Sequence, residues 1–353
     1  MLPDTLAVIP YAGTLPTGFF EVALPSGVPK PDELMLAALF AEEAERYDIL
    51  FITDYAQVRL VGLFPKEGGE ARFGFWESTP AATAAGQAFA ALEAEARRRG
   101  CPALTGPLDF NTFQRYRLRV GAAPSWGHFD REPTNPVYYP ELLKGMGFRA
   151  HLTFESRLIR PETVPTVYAD KQPLLDALAA LPFDFLPLNA DTWPQHEAEL
   201  FELVQAVFGA NPAYRPVSEA QFRGLYNRTY AAGLCPYTSV LLRDHASGQL
   251  AALSLCQPNY APLGLAANQP PTFQRDYPRL QAPTTLLAKT VGVHPSFRNR
   301  GLMNALGAYG MVHFREWYQQ VIFCLMRTDN FSLHFTDGLP AETAHYALYR
   351  KEL

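Results

Sequence analysis

No run in the chain approaches the roughly 18 consecutive apolar residues that a transmembrane helix needs, so the sequence offers no membrane span. A basic excess is also missing. The 30 Lys and Arg stand against 35 Asp and Glu for a formal net charge of -5, which supplies no general field for nucleic acid or an anionic membrane surface. Cysteine is scarce and dispersed. Cys101, Cys235, Cys256 and Cys324 form no C-x-x-C and pair with no His at zinc spacing, so no metal site is expected. They read as small core residues suited to a reducing cytoplasm. The first residues, MLPDTLAVIPYAG, lack the basic segment and long apolar run of a signal peptide, and the expected location is cytoplasmic. The sequence contains no G-x-S-x-G, no G-x-x-x-x-G-K-[ST] and no H-E-x-x-H, and its eight His residues are scattered. Cys235 and Cys256 have no activating base adjacent in sequence.

What is present is apolar residue in quantity. Hydrophobic residues make up 48% and aromatic residues 13% of the 353, enough to exclude wholesale disorder. At about 100 to 200 residues per domain, the length predicts two domains. In the first half DILFITDY, VRLVGLF and ARFGFW predict a three-stranded meander, Pro80 to Arg99 a helix, PALTGPLDF a buried strand, YYPELLKGMGF a short helix and LTFESRLIR a final strand. Three prolines between Pro161 and Pro173 mark a linker. Beyond it FDFLPL reads as a strand, and Pro194 to Phe208 and Ser218 to Ala232 as helices, the second with a Ser218/Gln221 capping box. A meander of TSVLLRD, QLAALSL and TLLAKTVGV follows, then a helix from about Asn299 to Gln319, the strand VIFCLM and the end segment HYALYRKEL. The second half repeats the element order of the first, which predicts two copies of one fold with boundaries at 1–160 and 181–353 and a linker at 161–180. The 23 residues from Ala261 to Pro283 carry five prolines. A loop of that length is usually functional or disordered, and as a lid it would offer Tyr260, Phe273, Arg275, Asp276 and Tyr277.

The segment most suggestive of chemistry is VGVHPSFRNRGLMNAL, from Val291 to Leu306, where a strand ends, a basic turn follows and a helix begins. Helix N-termini expose unpaired N–H groups and partial positive charge, so such a turn can hold a phosphate or pyrophosphate, with Arg298 and Arg300 adding charge and Gly301 allowing close approach. At these residues the chain resembles the GNAT acyltransferase superfamily, whose turn follows Q/R-x-x-G-x-G/A. The pattern here is Arg298, Asn299, Arg300, Gly301, Leu302, Met303, with Met303 in place of the usual small residue. In the first half FGFWES, GPLDFNT and YYPELLKGMGF are similar to bacterial proteins with two tandem GNAT-like halves. The resemblance implies an α/β (α+β) fold of two tandem GNAT-like domains, each a mixed, mostly antiparallel twisted sheet flanked by helices. The first copy's turn, Thr83, Ala84, Ala85, Gly86, Gln87, Ala88, lacks the leading Arg or Gln, so that domain is expected to be degenerate in cofactor binding. Its Trp76, Glu77, Asn111, Arg115, Tyr138 and Tyr139 could face a cleft, and core packing explains them as readily.

By the same resemblance the expected co-substrate is acetyl-CoA or another acyl-CoA. It would be held by Val291, Val293, Arg298, Asn299, Arg300, Gly301, Leu302, Met303, Asn304, Asn330 and Ser332, while the amine of a small molecule or amino-acid-like acceptor attacks the thioester directly. The expected partner is that amine, with no nucleic acid, no membrane and no metal. Such a transfer needs a base and a donor for the thiolate. No carboxylate lies in LLAKTVGV, where Lys289 and Thr290 stand, so the base falls to a water chain, the long loop or the first half. His334, Tyr346 and Tyr349 are the candidate catalytic residues. Two other readings remain at this point: a Fem-type transferase fed by charged tRNA, and a GNAT-like binding or scaffold protein without turnover.

Overall fold

The computed structural model describes residues 6–21, 33–165, 172–211, 213–266 and 268–353. Two compact units emerge. One comprises the described residues of Met1–Ala123, Arg131–Phe154 and Ala344–Leu353, and the other those of Pro124–Asp130 and Glu155–Thr343. The units therefore interleave along the chain, in contrast to the consecutive segments 1–160 and 181–353.

Unit 1 begins with β1 (Ala7–Pro10), α1 (Glu33–Glu43), β2 (Tyr47–Thr53), β3 (Val58–Pro65) and β4 (Ala71–Ser78), the last three being the expected meander. The β2–β3 turn is set by Asp54, whose carboxylate accepts the N–H groups of Ala56, Gln57 and Val58 at 2.9, 2.7 and 3.0 Å, a side chain standing in for the backbone of a turn. Alternate residues of β2 and β3 serve opposite faces, and in β4 a register shift against β3, with Phe75 at φ +50°, sends Phe73 and Phe75 to opposite faces although they stand two apart. Leu50, Ile52, Leu60 and Phe73 join one buried cluster, which includes Phe89 and Leu92 of α2 (Ala82–Arg98). Ile49, Phe51, Val61 and Phe75 join another, which includes Leu36 and Phe40 of α1. Both faces of the sheet are covered, which is why these strands read as almost continuous apolar runs. Then come β5 (Ala103–Gly106), β6 (Leu118–Val120) and α3 (Tyr139–Gly145).

The expected strand PALTGPLDF is a strand over four residues only. β4 and β5 pair in parallel at Ala71↔Leu104 and Arg72↔Thr105 and then part. The gap is filled by the chain itself: Leu108 donates its N–H to the Phe73 carbonyl at 2.8 Å, and Asp109 accepts the Phe75 N–H. Gly74 is required there, since a Cβ would stand 2.4 Å from the Leu108 carbonyl oxygen.

β7 (Arg149–Ile159) enters unit 2 at Glu155. It is followed by α4 (Gln172–Leu178), β8 (Phe183–Pro187), α5 (Trp193–Phe208), α6 (Glu219–Leu225), α7 (Arg228–Ala232), β9 (Val240–Asp244), β10 (Leu250–Pro258), α8 (Phe273–Asp276), β11 (Thr285–Val293), α9 (Leu302–Trp317) and β12 (Gln320–Arg327). Part of the expected linker, 166–171, lies outside the described residues, and α4 occupies much of the rest. The single helix expected over Ser218 to Ala232 is two. The capping box is formed, with the Gln221 N–H on Ser218 Oγ at 3.1 Å and the Ser218 N–H on Gln221 Oε1 at 3.3 Å. Asn227 then caps a second start by accepting the N–H groups of Thr229 and Tyr230. The unit 2 sheet runs β7-β12-β11-β10-β9-β8, antiparallel from β8 through β11, with β11 and β12 parallel. β13 (Glu342–Glu352) lies in unit 1 from Ala344 onward, antiparallel to β5 at Tyr349↔Gly106 through Glu352↔Ala103 and to β6 at His345↔Val120.

Candidate functional site

The site of interest begins where β11 leaves β12. The two strands pair from Thr285↔Gln320 to Ala288↔Phe323 and no further. Among the described residues, Thr290 to Val293 keep β10 as their strand neighbour on one side only. Val291 and Val293 direct their side chains into the cluster of Phe183, Phe297, Leu302 and Leu306, so what this stretch offers along its free side is backbone.

The turn after β11 is held from inside and open outside. His294 Nδ1 accepts the Ser296 N–H at 3.2 Å, and Phe297 is buried in the same cluster. Asn299 and Gly301 both adopt positive φ, +65° and +74°. Gly301 is the N-cap of α9, and a side chain there is strained although the space is open. The helix starts at Leu302, three residues later than expected, and its first backbone bond runs from the Ala305 N–H to the Gly301 carbonyl. The N–H groups of Leu302, Met303 and Asn304 thus precede the helical ladder and bring the positive end of the helix dipole to the turn. Arg298, Asn299, Arg300, Gly301 and Asn304 are exposed around it. Arg300 lies 5.0 Å over the Phe297 ring and 4.0 Å from Asp244, whose carboxyl is held below its usual range by the Ser247 hydroxyl and N–H first and by Arg300 in lesser part. Leu302 is core. Met303 packs against the Phe183–Leu306 cluster, so the bulk that breaks the motif points into the protein.

Beyond β12, Asn330 is exposed at the start of a short 3-10 turn and makes no side-chain capping bond, whereas Ser332 is buried. His334 follows on that turn. Its Nδ1 lies 2.6 Å from Asp337 Oδ2, and Arg157 lies 3.6 Å from the other Asp337 oxygen. His334 and Arg157 together, the former first, hold the Asp337 carboxyl below the usual range. With Nδ1 occupied and the side chain 63% exposed, Nε2 is the ring nitrogen left toward solvent.

Other expected residues are placed elsewhere. Tyr346 and Tyr349 are core residues of unit 1, each 1% exposed, because β13 pairs with that unit's strands. Tyr346 donates to Glu132, and burial pushes the Tyr349 hydroxyl up to about 12. Neither has the exposure needed to reach a ligand. Glu77 and Arg115 do not face an open cleft: Arg115 donates to Glu77 at 2.7 Å and to Asp109 at 3.3 Å, and Tyr139 donates to Glu77 at 2.7 Å. Trp76 and Tyr139 pack ring to ring at 4.4 Å, Tyr138 donates to the Ser78 carbonyl, and buried Asn111 accepts the Phe113 N–H. In the first copy's turn Ala84, Ala85 and Ala88 face the core. The long loop is pinned to its surroundings. Asp276, fully buried, accepts from Arg275, Arg279 and the Thr272 N–H, and Tyr277 donates to the Trp317 carbonyl. Phe273 stacks on Tyr277 with centroids 4.8 Å apart, and Tyr260 donates to the Gly233 carbonyl.

One contributor escaped sequence reading. Segment 124–130 belongs to unit 2, where Phe129 packs on Leu158, Leu287 and Ile322, and Lys289 donates to Asp130 Oδ2 at 2.8 Å across 159 residues. Among the described residues no helix is long and apolar enough to cross a membrane, and no group of three or more His, Cys, Asp or Glu could hold a metal ion.

No model of a protein family matches the sequence, and no curated protein does. Solved structures do match its fold. A tandem GNAT protein from the clavulanic acid biosynthesis pathway aligns over 99% of this chain and 98% of its own at a TM-score of 0.50 and 13% identity. The chain has the tandem GNAT fold. A GCN5-related N-acetyltransferase from Kribbella flavida aligns over 99% of this chain and 71% of its own, with a TM-score of 0.50 and 9% identity. A conserved protein of unknown function from Enterococcus faecalis V583 covers 99% and 73%, with a TM-score of 0.52 and 9% identity. In this GNAT fold the parting strands and the Arg298–Asn304 turn belong to unit 2, whereas the corresponding gap of unit 1 is closed by 107–117.

Proposed function

We propose that the chain is an N-acyltransferase that takes an acyl group from acetyl-CoA or another acyl-CoA and passes it to a small amine. One observation carries the reading: an exposed turn with two left-handed residues, two arginines and three unladdered helix N–H groups directly follows a strand that has parted from its neighbour. Backbone N–H groups at a helix start, flanked by guanidinium groups, suit a pyrophosphate. The open edge of Lys289–Val293 suits the amide-bearing arm of the same substrate, and exposed Asn330 stands free of a capping bond to meet it. Ser332, being buried, contributes by packing.

The reaction we propose is direct attack. The amine nitrogen bonds to the thioester carbonyl carbon and the C–S bond breaks. His334 Nε2 takes the proton that the nitrogen loses, and that proton goes on to the departing thiolate. Asp337 fixes the imidazole through Nδ1, the arrangement by which a carboxylate orients a histidine base. The partner is a small molecule, with neither nucleic acid nor a membrane surface engaged, in keeping with the net charge of -5. A cytoplasmic location suits the four free cysteines, three of them buried.

Calorimetric titration with acetyl-CoA tests the donor site without knowledge of the acceptor. Wild type should bind, and Arg298→Ala and Gly301→Trp should both lose affinity. Absence of binding by any acyl-CoA in wild type removes the reading.

A further inference from the structure

β12 breaks its own alternation just after it leaves β11. Val321 and Phe323 belong to the cluster that includes Phe314 of α9, and Ile322 and Cys324 to the cluster of Phe129, Leu158 and Leu287, as the two faces of a regular strand require. By the same alternation Leu325 should return to the α9 face. Instead its backbone is left-handed, at φ +53°, and its side chain packs against the Phe129 cluster beside Cys324. Consecutive side chains on one face are the mark of a bulge, a device that re-aims a side chain and is concentrated beside active sites. This one stands two residues beyond Ala288↔Phe323, the last pair of β11 with β12.

A leucine in the left-handed region is strained and persists where its surroundings hold it there. The holder is a hydroxyl. Leu325 donates its N–H to Ser156 Oγ at 2.9 Å. Ser156 lies on β7, the other neighbour of β12, and is 0% exposed. Leu158, two residues along β7, is in the cluster that receives the Leu325 side chain, so the hydroxyl and the leucine's new surroundings come from one strand. On the α9 side β12 is thereby cleared at Cys324 and Leu325. The ring that borders the cleared stretch is Phe335, with its centroid 6.3 Å from that of Phe323 and its Cε1 3.8 Å from where a Cβ on Gly307 of α9 would stand.

We propose that Ser156 is a positioning residue of the donor site: by fixing the bulge it keeps the Leu325 side chain off the α9 face, and so leaves the parting of β11 and β12 open to the amide-bearing arm of an acyl-CoA. The proposal rests on the acyltransferase reading and deepens it by naming the group, outside the Arg298–Asn304 turn, on which binding of the arm depends. Ser156 acts through the Leu325 backbone and touches neither substrate. Without its hydroxyl, Leu325 gains by relaxing to an extended conformation, which returns the side chain to the α9 face.

The test compares acetyl-CoA with 3′-phospho-ADP, which carries the pyrophosphate and no arm, by calorimetry on the full chain. Wild type should bind both, acetyl-CoA the more tightly. Ser156→Ala should weaken acetyl-CoA by about tenfold, the scale of the strain that the hydroxyl holds in place, and leave 3′-phospho-ADP unchanged. Adding Leu325→Gly to Ser156→Ala should restore acetyl-CoA binding, since glycine adopts φ +53° freely and has no side chain to swing back. Leu325→Gly alone should bind both ligands as wild type does, which keeps the proposal open to test even where Ser156→Ala does not fold. A serine with a merely structural role would weaken both ligands together and would not be rescued by the glycine. Equal loss for both ligands, no loss for either, or a double variant that stays weak overturns the proposal, as does a wild type that gains nothing from the arm. A wild type that binds neither ligand removes the acyltransferase reading, and this proposal with it.

Discussion

Between Gly292 of β11 and Val207 of α5 there is no room for a carbon: a Cβ on the glycine would lie 2.3 Å from Val207 Cγ1. The helix rests directly on the backbone of the strand that leads into the Arg298–Asn304 turn. Gly292→Ala should therefore destabilise the protein by about 1–3 kcal/mol, the usual scale of overpacking. Urea unfolding measures this, and the paired change Gly292→Ala with Val207→Ala should recover part of the loss. Equal stability of the single variant and wild type would contradict the contact.

The turn itself separates charge from backbone shape. Arg298→Ala removes an exposed cation and should weaken acetyl-CoA binding several-fold, with a shallower dependence on salt. Gly301→Ala asks an alanine to adopt φ +74°, which costs about 1 kcal/mol or more in the free protein. It should lower thermal stability as well as affinity. Calorimetry beside a melting curve distinguishes the two variants, and identical effects on both would argue against separate roles.

In the proposed reaction His334 Nε2 takes the amine proton, so removing the ring removes the acceptor for that proton. His334→Gln should lower kcat by about a hundredfold with acetyl-CoA affinity unchanged. Asp337 is held below the usual carboxylate range by His334 and Arg157 and stays ionised near neutrality. Asp337→Asn should lower kcat less than loss of the ring does, because the proton acceptor stays and only the carboxylate that orients it through Nδ1 is lost. A kcat that His334→Gln leaves unchanged removes the residue from the reaction.

Asp276 ties the long loop and also reports on acid stability. The Arg275 bond leads in holding its carboxyl down from 3.8 to about 2 in the folded protein. A depressed carboxylate stabilises the fold fully above its unfolded value, and the gain is lost as pH falls toward the folded value. Unfolding free energy should therefore drop between about pH 4 and pH 2, and less steeply in Asp276→Asn. The variant should also be less stable at pH 7 by about 1–3 kcal/mol, since Arg275, Arg279 and the Thr272 N–H lose their shared acceptor. Curves of equal slope for the two proteins would sink this account.

Local pattern made much of this fold legible. β2, β3 and β4 are strongly apolar runs with polar breaks between them, α2 carries alanines and leucine on one face, and the Ser218/Gln221 box forms as its spacing implies. The Arg298–Gly301 turn was visible because a strand end, two arginines, a glycine and a helix start are contiguous. What stayed hidden was long-range pairing. HYALYRKEL reads as a strand in any sheet, and nothing in its residues names β5 and β6 as partners. The Lys289–Asp130 bond joins positions 159 apart. Asp109 and Arg115 carry no sign in sequence that they would close the gap beside β4. Met303 looked like a defect in a motif because a linear pattern does not say which way a side chain points.

The exchange of strand segments between the units bears on the order of assembly. Unit 1 takes Ala344–Leu353 as the neighbour of β5, and those residues leave the ribosome only after all of unit 2 has been made. The first half of the chain must wait through that synthesis with the edge of β5 uncovered and Tyr346, Leu348 and Tyr349 missing from its interior. An exposed strand edge is a template for wrong partners. The later unit is thus made in full before the earlier one has all its strands, and cutting the gene between the halves would yield two fragments, neither with every strand of its own sheet.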